Sequence, residues 1–203
     1  MKSILIPIFL LSTYTFGIVS ELAFNKSTDI IGKPKITDGD TIVINDIRIR
    51  FTGSDAPESY FFGKTQTCID GKGQEWECGK AATEKLKQLI NNRIVRCSDE
   101  GKDRYGRTLG ICYAGDIDLQ AEMVKSGMAV AYLRYSKRYE QEQNFAKQVK
   151  AGMWSGEFQQ PETWRRENRN LIIFSYKFYI FLTSLIAKSL ISKKVDLSWL
   201  ELT

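Results

Sequence analysis

Histidine is missing altogether from the 203 residues. That absence removes a large part of enzyme chemistry. Ser-His and Cys-His triads, histidine-based ribonuclease chemistry and nearly all zinc enzymes are excluded. Also missing are internal repeats, low-complexity runs and the closely spaced Cys pairs of zinc clamps. What remains for chemistry is carboxylates, Arg, Lys, Tyr or a metal held by oxygen. The chain has 43% apolar and 26% charged residues, a balance that builds a packed core rather than a disordered segment.

The two ends stand apart from the rest. Residues 1–20, MKSILIPIFLLSTYTFGIVS, carry Lys2 and then no charge until Glu21. A positive start, an apolar stretch and small residues near Val19 and Ser20 predict a secretory signal, with an uncleaved N-terminal anchor as the alternative. The protein is therefore expected to be exported: periplasmic, secreted or membrane-associated. Residues 21–34 form a linker, and 161–203 form a basic hinge with a hydrophobic tail. Within that tail, 171–191 reads LIIFSYKFYIFLTSLIAKSLI, long enough to span a bilayer. Lys177 and Lys188 oppose this at roughly 2.5–3.5 kcal/mol each at mid-bilayer, although both can snorkel outward. Arg165, Arg166 and Arg169 before it, with Lys193 and Lys194 beyond, suit an interfacial anchor as well as a spanning one. Membrane contact through 171–191 is the expectation; an added helix or a partner-binding tail are the alternatives.

The overall charge of +5 largely belongs to these ends. Residues 21–170 hold 24 Lys and Arg against 22 Asp and Glu, so any electrostatic case rests on local clusters. The Cys count is 4: Cys68, Cys78, Cys97 and Cys112. With an export signal these read as disulfides, with reduced thiols as the alternative. Of the three possible connectivities, the local pairs Cys68–Cys78 and Cys97–Cys112 are favoured. The first brackets the polar loop IDGKGQEWE and the second joins two strand-like segments. Each short loop would contribute roughly 3 kcal/mol by chain entropy.

Between the ends, TIVINDIRIRF (41–51) alternates and breaks at Asn45-Asp46, a two-residue hairpin signal. The implied register pairs Ile44 with Ile47, Val43 with Arg48 and Thr41 with Arg50. Ile42, Ile44, Ile47, Ile49 and Phe51 then share a buried face, and Arg50 comes to lie beside Asp40. Helices are predicted at CGKAATEKLKQLINN, after an Asp118 cap, and over about 137–151, where Tyr139, Phe145 and Val149 recur. Strands first and helices later indicate α+β, and short Gly-punctuated strands suit a small closed barrel.

Three clusters carry the chemistry: Asp38-Gly39-Asp40-Thr41, Asp55-Ala56-Pro57-Glu58, and Asp103-Arg104-Tyr105-Gly106-Arg107. Each alone is an ordinary turn. Together, two carboxylates and a backbone carbonyl make a hard oxygen site suited to Ca2+. Glu58 is free to orient or deprotonate water, and two arginines supply forks that match phosphate oxygens. Asp40, Asp55 and Glu58 against Arg50 and Arg107 leave the bare site at −1. A divalent ion makes it +1, complementary to the dianionic transition state of phosphodiester attack.

These motifs, in this order and spacing, resemble the staphylococcal (micrococcal, thermostable) nuclease family over about residues 35–160, in its exported, cysteine-containing branch. The resemblance extends to SGMAVAY and AGMWSGEF. It implies a five-stranded OB-fold β-barrel with about three packed helices. It also implies a monomeric, Ca2+-dependent endonuclease or exonuclease acting on DNA and RNA, preferring single-stranded or locally melted regions and leaving 3′-phosphate ends. Little sequence preference is expected, since backbone contacts dominate. By position, Asp40 and Asp55 would be metal ligands with the Ala56 carbonyl. Glu58 would be the base or water-orienting group, and Arg50 and Arg107 would hold the phosphate. Arg104, Tyr105 and Tyr135 would lie beside the nucleotide, where a ring can stack on a base. A non-catalytic OB-fold nucleic-acid-binding module is the alternative. Ala56 stands where the best-known member has Thr, which keeps a carbonyl ligand but loses a hydroxyl contact.

Overall fold

A computed structural model describes residues 29–198, with side chains through residue 186. The expected signal over 1–20 and the linker before residue 29 lie outside the described residues, as do the tail side chains past 186. In chain order the elements are β1 (Ile30–Gly32), β2 (Lys35–Asp38), β3 (Thr41–Ile44), β4 (Ile47–Phe51), β5 (Ser54–Asp55), β6 (Cys68–Ile69) and β7 (Glu75–Trp76). They continue with α1 (Cys78–Ile90), β8 (Val95–Cys97), β9 (Thr108–Gly110), β10 (Cys112–Ala114), β11 (Ile117–Asp118) and α2 (Leu119–Lys125). The rest are β12 (Val130–Ala131), α3 (Glu140–Gln148), a 3-10 turn (Gly152–Ser155) and α4 (Pro161–Ser198).

Asn45 and Asp46 both take positive φ, 49° and 64°, as a type I′ hairpin turn requires. The turn fixes the β3–β4 register at Thr41–Arg50, Val43–Arg48 and Ile44–Ile47. Ile42, Ile44, Ile49 and Phe51 are buried, whereas Ile47, assigned to the same buried face from the alternation, is 39% exposed at the hairpin tip. One sheet runs β2-β3-β4-β9, with β4 and β9 parallel; the other runs β1-β8-β10-β11. β5 pairs with β12 and β6 with β7.

No sheet closes among the described residues, so the expected five-stranded OB-fold barrel is not the architecture found. Closure needs one ladder passing round every strand. Here the strands are 2–5 residues long, and the ladders stop at two four-stranded sheets and two strand pairs. Among the described residues the fold is α+β with four α-helices, rather than a barrel with about three.

α1 buries Ala82, Leu86 and Ile90 and stops at Asn91, whose left-handed backbone (φ 44°) returns its N–H to the Lys87 carbonyl. α2 starts where the Asp118 carboxylate accepts from the Ala121 N–H at 3.0 Å. α3 departs from its predicted face: Phe145 and Val149 are exposed, and Gln143 and Ala146 are buried instead. The reason is polar satisfaction, since the Gln143 side chain accepts from the Ala131 N–H at 2.9 Å and so must point inward. Disulfides join Cys68 to Cys78 and Cys97 to Cys112.

α4 begins with Pro161, a residue suited to the first helical position. Its apolar side chains from Leu171 to Ile186 are largely exposed. Among the described residues no helix is long and apolar enough to cross a membrane, so the spanning form of the tail expectation does not hold there.

Two glycines let three segments meet. A Cβ on Gly39 would fall 2.8 Å from the Ala56 side chain and 2.9 Å from that of Ala82. A Cβ on Gly79 would collide with the Glu58 carbonyl. The hairpin entry is therefore packed against the methyls of Ala56 and Ala82, and the backbone of the 55–58 loop against that of the first turn of α1.

Candidate active site

Asp40 sits where β2 turns into β3, beside an irregularity in the β2–β3 ladder, and is 2% exposed. One carboxylate oxygen accepts from the Ala56 N–H at 2.7 Å. The other accepts from the Thr41 hydroxyl at 3.2 Å and from Arg50. The second arm of the Arg50 fork donates to Asp55 in β5, itself 1% exposed. One guanidinium thus ties an acid at the entry of β3 to an acid on β5, a direct result of the hairpin register. Burial works against the Arg50 charge, but Asp40 and Asp55 outweigh it and raise its pKa. Burial, reinforced by Asp40, pushes the Asp38 carboxyl up to about 7.

Glu58 is held through its backbone. Its carbonyl accepts from the Gln66 N–H at 2.9 Å, and its N–H donates to the Gln66 side chain at 3.4 Å. Gln66 is fully buried; its amide nitrogen donates to the Gln159 carbonyl at 2.7 Å, just before α4. Burial raises the Glu58 pKa and Asp40 adds to the rise, while Arg165 pulls the other way.

Arg165 is the unexpected member. From the second turn of α4 it donates to Glu58 Oε1 at 2.8 Å and to both Asp55 oxygens at 2.9 Å. Its side chain is 17% exposed. Burial opposes its charge, yet Asp55, Glu58 and Asp40 raise its pKa well above the ordinary arginine value.

The third cluster is held by a network of its own. The Asp103 carboxylate accepts from the backbone N–H groups of Tyr105 and Arg107 at 2.9 Å and from Arg107 Nε at 2.7 Å. Against a desolvation cost, bonds from Arg107 and Tyr105 hold the Asp103 carboxyl below its usual value. Arg104 lies over the Tyr105 ring at 4.8 Å, and that ring is 61% exposed. Tyr135 is 71% exposed and packs edge-on against Tyr132 at 4.8 Å. Arg50 and Arg165 bring Asp40, Asp55 and Glu58 together, and Arg107 pairs with Asp103.

Among the described residues no group of at least three His, Cys, Asp or Glu is placed as a ready metal cluster. The groups that could hold a cation are fewer: the Asp40 and Asp55 carboxylates, joined through Arg50, and the carbonyl of the neighbouring Ala56, hard oxygens of the kind Ca2+ accepts with water completing its shell. These acids already gather positive charge from Arg50 and Arg165. That stand-in charge is what fits the residues to a cation.

Comparison with known sequences gives this geometry a family. The profile described as "Staphylococcal nuclease homologue" matches residues 48–156. The chain belongs to that family. It is 37% identical over 136 residues to a protein named "Succinoglycan biosynthesis protein ExoI" from Rhizobium meliloti, covering 66% of this chain and 67% of the relative. It is 32% identical over 172 residues to an "Uncharacterized endonuclease" from Haemophilus influenzae, covering 81% and 87%. A "Micrococcal nuclease" from Shigella flexneri is 36% identical over 155 residues, covering 67% and 80%. The relationship supports a nuclease-type activity in general.

In this staphylococcal nuclease homologue the family match takes in Arg50, Asp55, Ala56, Glu58 and Arg107, and stops short of Asp40 on one side and Arg165 on the other. Arg165 escaped the sequence reading because WRRENR looks like the basic flank of a tail. The available cue was the charge count, in which three acids faced only two arginines. Gln66 gave no cue, since a buried amide has no sequence period.

Proposed function

We propose that this protein is an exported, Ca2+-dependent phosphodiesterase of the cysteine-containing branch. It would hydrolyse DNA and RNA with little sequence preference and leave 3′-phosphate ends. The observation that carries the proposal is the convergence of the buried Asp40 and Asp55 on Arg50, with Glu58 joined to Asp55 through Arg165, in a chain of the nuclease family. The catalytic domain would span residues 35–160 and act as a monomer.

Asp40, Asp55 and the Ala56 carbonyl would hold the ion. When bound, Ca2+ supplies positive charge that offsets the acids and polarises a phosphate oxygen. Glu58, with its raised pKa, accepts a proton from the attacking water. The water oxygen bonds to phosphorus while the P–O5′ bond breaks; the 5′ oxygen leaves as a hydroxyl on taking up a proton from solvent, and Glu58 returns its own proton to solvent. Arg50 and Arg107 donate to the phosphate oxygens, where the fork geometry of guanidinium matches the charge that develops. The exposed Tyr105 and Tyr135 rings, with Arg104 beside the first, offer stacking surfaces for bases of a single-stranded or locally melted substrate.

Plasmid digestion tests the reading. Degradation with Ca2+ that stops on chelation is expected, with a separate arm in Mg2+ alone. Undiminished degradation in chelator overturns the cation requirement, and an intact plasmid in every arm indicates a binding-only protein.

The exposed apolar length of α4 next to the exposed Arg166 and Arg169 supports peripheral contact of the tail with a membrane surface. Co-sedimentation with anionic vesicles is expected for the full chain and lost on deletion of 171–203. Equal sedimentation of both forms counts against it.

A further inference from the structure

We infer that Arg165 is an internal cation that competes with the divalent ion for Asp55 and Glu58, so that α4 holds the free protein in a cation-excluding state. The inference rests on the cation site proposed above.

Both oxygens of Asp40 and of Asp55, and one of Glu58, already accept hydrogen bonds. Asp55 Oδ1 accepts from Arg50 and from Arg165, and Asp55 Oδ2 accepts from Arg165. Asp40 Oδ1 accepts from Arg50 and Thr41, and Asp40 Oδ2 from the Ala56 N–H. Glu58 Oε1 accepts from Arg165. A carboxylate offers about four lone-pair sites, and a hard cation draws on the same ones. Of the groups that occupy them, the Ala56 N–H, Thr41 and Arg50 belong to the hairpin and its neighbouring loop. Arg165 alone arrives from an appended helix, so it is the one group that can leave without unfolding the site. Its departure exchanges one positive charge for two.

Arg165 is not a loose side chain that happens to reach inward. Residues 162, 165, 168 and 169 recur at helical spacing on one face of α4, and that face is pinned to the body. Glu162 pairs with Arg134 at 3.1 Å. The Trp164 ring lies 6.0 Å from that of Phe61. Asn168 accepts from Lys64 at 3.1 Å, and Arg169 lies over the Phe61 ring at 5.9 Å. Anchors on both sides keep the guanidinium at high effective concentration over the acids, where a tethered group outcompetes a dilute free one. Because the pair with Asp55 is largely buried, solvent and salt screen it little.

A purely structural ion pair makes the opposite prediction. Removing a structural pair loosens the acids and weakens cation binding; removing a competitor frees them and tightens it. The test is calorimetric titration of the full chain with Ca2+ alone, using wild type, Arg165→Ala and Arg165→Gln, with melting curves to verify folding. The expected result is Ca2+ affinity about tenfold or more higher in both variants, and a larger rise in melting temperature on adding Ca2+. Arg165→Lys, which keeps the charge without the fork, should fall between. If the Arg165 variants do not fold, Glu162→Ala with Trp164→Ala loosens α4 while retaining Arg165 and should shift affinity the same way. Wild type that binds Ca2+ with unchanged or reduced affinity in the folded variants overturns this inference alone. No binding in wild type or any variant overturns the cation site and the inference with it.

Discussion

Replacing Glu58 by Gln is expected to cut phosphodiester hydrolysis by about 10²- to 10⁴-fold, the range by which a positioned general base contributes. The substitution is chosen to leave the geometry in place. Gln keeps an oxygen to accept from Arg165, as Glu58 Oε1 does at 2.8 Å, and the backbone bonds to Gln66 do not involve the side chain. What is lost is the basic site itself, in a position where burial raises the carboxyl pKa. Steady-state rates on a DNA substrate, with protein from a nuclease-deficient host and melting curves alongside, make the measurement. A rate within a few-fold of wild type removes Glu58 from the chemistry.

The second large effect concerns stability as well as rate. Arg50→Ala leaves Asp40 and Asp55 buried without the guanidinium that joins them. Breaking a buried charge pair by deleting one partner costs roughly 3–5 kcal/mol. For a domain of this size that is a fall in melting temperature on the order of 10 °C. Asp40 retains the Ala56 N–H and the Thr41 hydroxyl, and Asp55 retains Arg165, so the folded state survives in weakened form. Arg50→Lys should recover only part of the loss, since a point charge cannot bridge two carboxylates as a fork does. Melting in the presence of chelator isolates this effect from cation binding. A fall of less than about 2 °C would mean that desolvation of the trio already cancels its attraction.

How far the sequence revealed the site depended on distance along the chain. The meeting of Arg50 with Asp40 was legible because alternation and the Asn45-Asp46 turn fix a register, and register places side chains opposite each other. The α1 face was legible for a similar reason, since Ala82, Leu86 and Ile90 recur with the helical period. Strand closure was not legible, and the expected closed barrel is not found among the described residues, because local alternation says nothing about whether the last strand finds the first. β4 finds β9 across more than fifty residues in parallel, and β5 pairs with β12. α3 misled because Phe145 and Val149 follow an apolar period, while the Ala131 N–H required Gln143 inside. Arg165 meets Asp55 across 110 residues, and no periodicity in either segment encodes that encounter.

Gln66 gives the arrangement a mechanical property beyond its hydrogen bonds. One planar amide grips the main chain of Glu58 at one end and the Gln159 carbonyl at the other. The loop bearing the base and the threshold of the long helix therefore share a single fulcrum. A tilt of that helix is delivered to the position of Glu58 as well as to Arg165, so the two travel as linked parts instead of adjusting one by one.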